Sequence, residues 1–183
     1  MKYIIGIDPG ITGYLAVFRA RDEKIVKITT GFAIDLGRRK RCKKGADKGK
    51  MKDYVNNYPD VDRMAAILGV IKAKTSDVVV VLERQQPMCK HGAKQGAVSI
   101  FKTGLGYGMW LGAIKGMGLE CMVVAPQTWQ KVILKDVPGT DTKGKSRYAA
   151  QKRFPYVDFH RKTDHNKSDA CLLAYYGYLK TKE

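Results

Sequence analysis

The chain has 183 residues, 34 of them Lys or Arg against 17 Asp or Glu, which leaves a formal charge of +17. Hydrophobic residues make up 44% of it, too many for a disordered polyelectrolyte, and a chain of this length buries roughly 70% of its unfolded surface without needing disulfides. No apolar run approaches the roughly 18 to 20 residues of a membrane span. Met1-Lys2-Tyr3-Ile4-Ile5 turns polar at Asp8, too soon for a signal peptide. One domain over residues 1–183, with no membrane partner, is expected. The positive excess favours a polyanionic partner, most often nucleic acid; a solubilising charge or a ribosomal type of basic protein has the same signature.

Tyr3–Ile7 reads as a buried strand ending at Asp8, followed by a tight turn through Pro9-Gly10 and Thr12-Gly13. Tyr14–Phe18 and Lys24–Thr30 read as two further strands, and the short links make an antiparallel meander. Arg38–Lys52 holds nine basic residues, Arg38, Arg39, Lys40, Arg41, Lys43, Lys44, Lys48, Lys50 and Lys52, against one acid, Asp47. It has no apolar period and reads as an exposed loop or flexible arm, at about 38–58 in all. Its self-repulsion favours a bound polyanion over an idle solvated loop. Gly45-x-x-x-Gly49-Lys50 is one spacer short of a phosphate-binding P-loop and lacks a preceding strand.

Val61–Ala73 has helical spacing in Met64, Ile67, Leu68 and Ile71. Val78–Leu82 is a continuous apolar run, the pattern of a strand covered on both faces, and it closes on Glu83. Residues 95–117 read as a long helix in which Gly104, Gly108, Gly112 and Gly116 recur every fourth position. Each glycine costs a helix about 1 kcal/mol relative to alanine. The stripe therefore calls for a close backbone neighbour, by preference the helix's own sheet and otherwise a helix of a second copy. Glu120–Ala125 reads as a strand, Pro126–Leu134 as a short helix with proline in its first turn, Lys143–Phe154 as a basic helix stopped by Pro155, and Asp164–Lys180 as a last helix, apolar on nearly every side. This order predicts an α/β mixed sheet flanked by helices. The cysteines, Cys42, Cys89, Cys121 and Cys171, form no C-x-x-C pair, and Cys89 with His91 has no second pair at zinc-like spacing, so reduced thiols are expected.

Three acids stand at element ends: Asp8 and Glu83 after apolar strands, Asp169 in the opening turns of the last helix. If the two strands are neighbours, both carboxylates leave the sheet at one edge. Three carboxylates together raise one another's pKa unless a cation intervenes, and magnesium is the natural guest for hard oxygen donors. Singly, each acid has a plain explanation: turn chemistry for Asp8, a surface pair with Arg84 for Glu83, a helix N-terminus for Asp169. Together, in so basic a chain, they point to a metal-dependent nuclease.

Ile4-Ile5-Gly6-Ile7-Asp8-Pro9-Gly10-Ile11-Thr12-Gly13 resembles the opening of the RuvC family of Holliday junction resolvases, which have the ribonuclease H-like fold. Val78-Val79-Val80-Val81-Leu82-Glu83 resembles that family's second acidic strand, and Asp169-Ala170 its closing motif. The match runs nearly end to end and is weakest over 31–60. It implies a ribonuclease H-like α/β fold with a mixed five-stranded sheet flanked by helices. The implied activity is magnesium-dependent endodeoxyribonuclease cleavage of four-way DNA junctions, by a homodimer in the cytoplasm of a bacterial or phage-infected cell. Two magnesium ions are implied, with manganese a substitute. By this resemblance Asp8, Glu83 and Asp169 are metal ligands and His165, four residues before Asp169, is the fourth, with Asp164 in reserve; Asn166 shares the same helix face. His165 would also position or deprotonate the attacking water. Lys145-Ser146 resembles the family's basic residue that faces the scissile phosphate, and Lys131 follows a proline-led turn, Pro126-Gln127-Thr128-Trp129, as a DNA-contacting base. The basic residues Arg38, Arg39, Lys40, Arg41, Lys43, Lys44, Lys131, Lys143 and Lys145 are the expected nucleic-acid contacts. Bacterial members carry an aromatic three residues after the glutamate; this chain has Gln86. The basic arm and compact size resemble phage-encoded relatives.

Two rivals carry different expectations. One is a ribonuclease H-like nuclease acting on RNA–DNA hybrids or branched replication intermediates, and the other is a non-catalytic nucleic-acid binder. A sugar-kinase or actin-like phosphotransferase shares the Gly6–Gly10 turn, but that fold needs two duplicated domains and the chain is too short for them.

Overall fold

The computed structural model describes residues 1–86 and 96–182, so Cys89, His91 and the first residue of the expected long helix lie outside the described residues. In chain order the strands and helices are β1 (Tyr3–Asp8), β2 (Tyr14–Arg19), β3 (Lys24–Thr30), β4 (Ala33–Asp35), β5 (Arg38–Arg41), β6 (Met51–Tyr54), β7 (Asn57–Pro59), α1 (Val61–Lys74), β8 (Val78–Glu83), α2 (Ala97–Gly116), β9 (Glu120–Val124), α3 (Pro126–Ile133), α4 (Thr142–Arg153) and α5 (His165–Lys180). Five strands form one mixed sheet in the order β3-β2-β1-β8-β9. β1 runs antiparallel to β2, with Ile4 opposite Phe18, and parallel to β8, with Ile7 beside Leu82.

The two-residue period of the strands sorts the core into two layers. Ile5 and Ile7 of β1 and Val78, Val80 and Leu82 of β8 pack with Met64, Leu68 and Ile71 of α1 and Trp110 and Ile114 of α2. Ile4 and Val81 face the other way, onto Trp129 of α3, Ala150 of α4 and Ala170, Leu173 and Ala174 of α5. β8, covered on both faces, is buried along its whole length, which accounts for its unbroken apolar run.

The tightest contact in the sheet–helix packing is α5 on β1. A Cβ on Gly6 would fall 2.1 Å from Ala170 O and 2.4 Å from Ala174 N. One turn further along α5, a Cβ on Gly177 would fall 2.4 Å from Val81 Cγ2 and 2.8 Å from Ile4 Cγ2. Small residues at 170, 174 and 177 therefore let the helix backbone rest directly on the sheet. The glycine stripe of α2 does not play this part. Gly104, Gly108, Gly112 and Gly116 are exposed and have open space where a Cβ would stand. The core face of α2 is Gly106, Trp110 and Ile114, two positions out of phase and so roughly 200° around the helix. Gly106 is the glycine of α2 that packs, close to Pro9 O and Pro59 Cγ.

The expected loop at Arg38–Lys52 is instead a β-hairpin. Arg38 pairs with Tyr54 and Arg41 with Met51, and below it β4 pairs with β7. Gly37, Gly45 and Gly49, all at positive φ, supply the turns. Every residue of β5 and β6 is exposed, so the ladder is built without the apolar alternation by which strands are read from sequence. The last helix begins at His165 rather than Asp164, because Asp164 closes a 3-10 turn over Lys162–Asp164.

These contacts set two opposite expectations for one kind of substitution. Gly6→Ala should destabilise by about 1–3 kcal/mol, since backbone must move to admit the methyl group. Gly108→Ala should stabilise by up to about 1 kcal/mol. Urea denaturation of both variants checks this, and a loss of stability at Gly108 would mean that the stripe is packed after all.

Candidate active site

The alternation that builds the core also aims the acids. On β1, Ile4 and Gly6 face α5, and so does Asp8 two residues on; on β8, Val81 faces α5, and so does Glu83. Because β1 and β8 are parallel and in register from Tyr3 beside Val78 to Ile7 beside Leu82, Asp8 and Glu83 leave the same edge side by side. This is the carboxyl edge of the parallel strands, where open α/β sheets bind ligands. The close seating of α5 on Gly6 brings Asp169, the neighbour of Ala170, over the pair. All three line one cavity of about 550 Å³.

Burial dominates the electrostatics here. Asp8 and Glu83 are each 9% exposed. The Asp8 carboxyl is pushed up to about 6 by burial, against the Gly10 N–H that donates to its Oδ1 at 3.2 Å. Glu83 is pushed up to about 8, first by burial and then by the charge of Asp8. Trp129 Nε1–H, which donates to Glu83 Oε1 at 2.9 Å, and Gln85, which donates to Oε2 at 3.3 Å, work the other way. Asp169 rises to about 7 through burial and the Asp8 charge, with Ser146 and Lys143 opposing. Ser146 is close enough to act on that carboxyl, yet neither Asp169 Oδ1 nor Ser146 Oγ, both buried, has a hydrogen-bond partner.

The remaining candidates divide. His165 and Asn166 line the cavity. His165 Nδ1 lies 3.2 Å from Lys162 O and Asn166 Nδ2 donates to Thr12 O and Oγ1 at 3.2 and 3.1 Å, tying the start of α5 to the β1–β2 turn. Asp164 is not a lining residue. It is buried, accepts the Arg161 N–H at 3.1 Å and pairs with Lys167 at 3.4 Å. Lys143 lines the cavity, whereas Lys145 and Lys131 do not; Lys145 packs its Cγ 3.3 Å from where a Cβ on Gly139 would stand. Arg38, Arg39, Lys40, Arg41, Lys43 and Lys44 lie on the separate β5–β6 hairpin and its turn. Arg84 is exposed and Glu83 is bonded to Trp129 and Gln85 instead, so the surface ion pair offered as its plain explanation is absent.

Several lining or supporting residues were given no role from sequence: Gln85, Gln130 and Asp141, and also Ser146 and Trp129, which stand there only as neighbours within motifs. Only Trp129 left a signal, since a tryptophan in an amphipathic helix carries one N–H that must find an acceptor once buried. Among the described residues, no three His, Cys, Asp or Glu side chains stand close enough together to form a ready metal cluster. The donor set fits a hard divalent cation by its chemistry: three carboxylates, with one buried oxygen left unpartnered.

No family model matches the chain, and no curated protein matches it either. Among solved structures it is similar to T. thermophilus RuvC in complex with a Holliday junction substrate, at a TM-score of 0.57 and 15% identity, over 100% of this chain and 96% of that one. It is likewise similar to a second Thermus thermophilus RuvC structure, at a TM-score of 0.54 and 17% identity, over 98% and 96% of the two chains. Over the described residues the fold is therefore the ribonuclease H-like fold of RuvC, as the resemblance in the sequence implied.

The raised carboxyls fix the sign of a pH effect. All three bind protons more tightly in the folded chain than in the unfolded one, where they titrate near 4. The folded state therefore holds more protons, and stability falls as pH rises from about 4 to about 8. Asp22, Glu23, Asp35 and Asp158 are held below their ordinary values and finish titrating beneath most of that window. Without divalent cation the melting temperature should drop between pH 5 and 8, and Glu83→Gln should flatten the drop. Stability that climbs across this range would mean that the acids are not buried together.

Proposed function

We propose that the chain is a divalent-metal-dependent endodeoxyribonuclease that cuts branched DNA, with the four-way junction as its substrate. The observation that carries this is the convergence of Asp8, Glu83 and Asp169 on one cavity at the carboxyl edge of the sheet. Burying three carboxylates together lowers stability, and the hydrogen bonds from Gly10, Trp129 and Gln85 leave all three carboxyls raised above their ordinary values. The fold is that of a protein solved in complex with a Holliday junction substrate, and the charge of +17 suits a phosphate-rich partner.

In this reading Asp8, Glu83 and Asp169 hold magnesium, or manganese in its place, with His165 as the fourth ligand. The bound cation supplies activation of a water and neutralisation of the charge that develops on the phosphate. The chain's own residues set the geometry. Asp8, on the central strand of the sheet, acts electrostatically on both of the other acids. Trp129 and Gln85 fix the Glu83 carboxylate by a hydrogen bond to each oxygen. Asn166 locks the first turn of α5 to the Thr12 turn, which holds Asp169 in register with Asp8. Lys143 brings a positive charge to the cavity wall for the scissile phosphate. Lys131 and Lys145 contact phosphates further along the DNA, and the basic hairpin binds the DNA beyond them. His165, with Nδ1 donating to the Lys162 carbonyl, would offer Nε2 to the cation. A homodimer would match the approximate two-fold symmetry of the junction and present one cavity to each of two opposed strands.

The deciding experiment is magnesium-dependent cleavage of a synthetic four-way junction beside linear duplex, flap and RNA–DNA hybrid. Preferential cutting of the junction is expected. Preference for the hybrid would favour the ribonuclease H-like rival, and no cutting with either metal would leave a binder. Asp8→Asn should abolish cleavage while junction binding persists, because phosphate neutralisation uses other residues. Trp129→Phe keeps the ring but removes the N–H; a roughly 10–100-fold loss of activity or metal affinity is expected, the usual cost of losing a residue that orients a ligand. Wild-type kinetics in Trp129→Phe would mean that Glu83 is not a working ligand.

A further inference from the structure

The β5–β6 ribbon stands outside the acidic cavity and is itself unusual. Two-stranded ribbons are marginal in water, and every residue of this one is exposed. At its centre Lys40 stands directly opposite Lys52, an arrangement of like charges that destabilises a strand pair. Opposed residues share a face and faces alternate along the strand, so the register sorts the side chains into two unlike surfaces. One carries Arg38, Tyr54, Lys40 and Lys52, and the other Arg39, Asp53, Arg41 and Met51.

The second surface partly neutralises itself, since Arg39 pairs with Asp53 at 3.3 Å. On the first, Lys52 bonds Asp47 in the turn, while Arg38 and Lys40 have no acidic partner among the described residues. Tyr54 stands on this surface opposite Arg38, its hydroxyl 3.5 Å from Cys42 Sγ. A concavity of about 850 Å³ opens beside them, bordered by Arg38, Lys40, Cys42 and Tyr54 of this surface, and also by Lys43 of the turn and Arg41 at the end of the strand. The base of the ribbon is braced. Lys102 of α2 donates to Asn56 Oδ1 and Asn57 O, both at 2.8 Å, and lies 4.5 Å from the centre of the Tyr58 ring. Pro59 packs on Gly106, which also meets Pro9, the residue after Asp8.

We propose that the ribbon lays its Arg38–Lys40–Tyr54 face into the major groove of a duplex arm of the DNA, with the Arg39–Asp53 face turned to solvent. This rests on the nuclease reading only for the partner's being DNA. The major groove is wide enough to admit a two-stranded ribbon, and Arg and Lys pair there with guanine O6 and N7. A single strand would call for a row of aromatic platforms, and this face has only Tyr54. The brace through Lys102 and Pro59 carries the held duplex on the same frame as the acidic cavity.

The test uses the full chain in EDTA, so that no readout depends on cleavage. Binding of a four-way junction and of a linear duplex is followed across a salt series, and dimethyl sulfate footprinting reports guanine N7 in the major groove and adenine N3 in the minor. R38Q/K40Q should lower the salt slope by roughly 1.8, two phosphate-equivalents at about 0.9 each, and should erase N7 protection on both DNAs. R39Q/R41Q removes the same charge from the same strand and should keep the protection with less than half that change in slope. The charge-preserving R38K/K40R should keep the wild-type slope, which separates lost charge from a lost ribbon. Equal effects of the two Gln variants, protection at adenine N3 instead of guanine N7, or tighter binding of single strands than of duplex would each overturn the proposal. Intact N7 protection in a chain that never cuts DNA would sustain it while removing the nuclease reading.

Discussion

The arrangement depends on how closely α5 can approach β1. With a side chain at position 6 the helix backbone would have to withdraw, because its carbonyl at Ala170 and amide at Ala174 occupy the space a Cβ would fill. Asp169 is carried on that same turn. Its distance from Asp8 is thus a consequence of main-chain packing between helix and strand rather than of side-chain reach. A site held by backbone contact is rigid in the sense that matters for chemistry, since small residues at 6, 170, 174 and 177 leave no rotamers through which the helix can slide. The Asn166 bonds to Thr12 fix the other end of the same turn.

That rigidity holds together groups that repel. Asp8, Glu83 and Asp169 have all been moved away from their ordinary ionisation, and in each case burial is the largest cause. Such values belong to the cluster rather than to one residue, because each proton bound changes the field at the other two. Near neutral pH the cation-free cavity therefore carries less than its full negative charge. A phosphate approaching across the basic surface meets weaker repulsion than three free carboxylates would give. A divalent cation displaces the retained protons, so metal affinity and pH are linked.

What was legible in the sequence was whatever has a period or a motif. The unbroken run Val78–Leu82 announced a strand buried on both faces, and the turn after Asp8 announced the first strand and its partner. Asp8 and Glu83 could be grouped because each ends an apolar strand run; that they also face the same side of the sheet follows from the register of β1 and β8. The fourth position was less legible: His165, Asn166 and Asp164 all crowd the start of the helix, and only the 3-10 turn decides that Asp164 serves Arg161 and Lys167 instead of the cavity. The hairpin at Arg38–Tyr54 was unreadable as strand because both its faces are wet. The glycine stripe misled because spacing shows that residues share a helix face but not which face meets the core. In α2 that was decided by Trp110 and Ile114, two positions away.

The two ends of the charge distribution are coupled through α2. This helix packs its core face on the sheet, touches the turn after Asp8 through Gly106, and braces the basic ribbon through Lys102. A helix with open glycines on its outer face has poor intrinsic stability, so it owes its order to these tertiary contacts. Anything that loosens Trp110 or Ile114 from the sheet would release the ribbon and the Asp8 turn together. The placement of the basic side chains relative to the acidic cavity is thus set by the hydrophobic packing beneath them, where Trp110 and Ile114 need to fit.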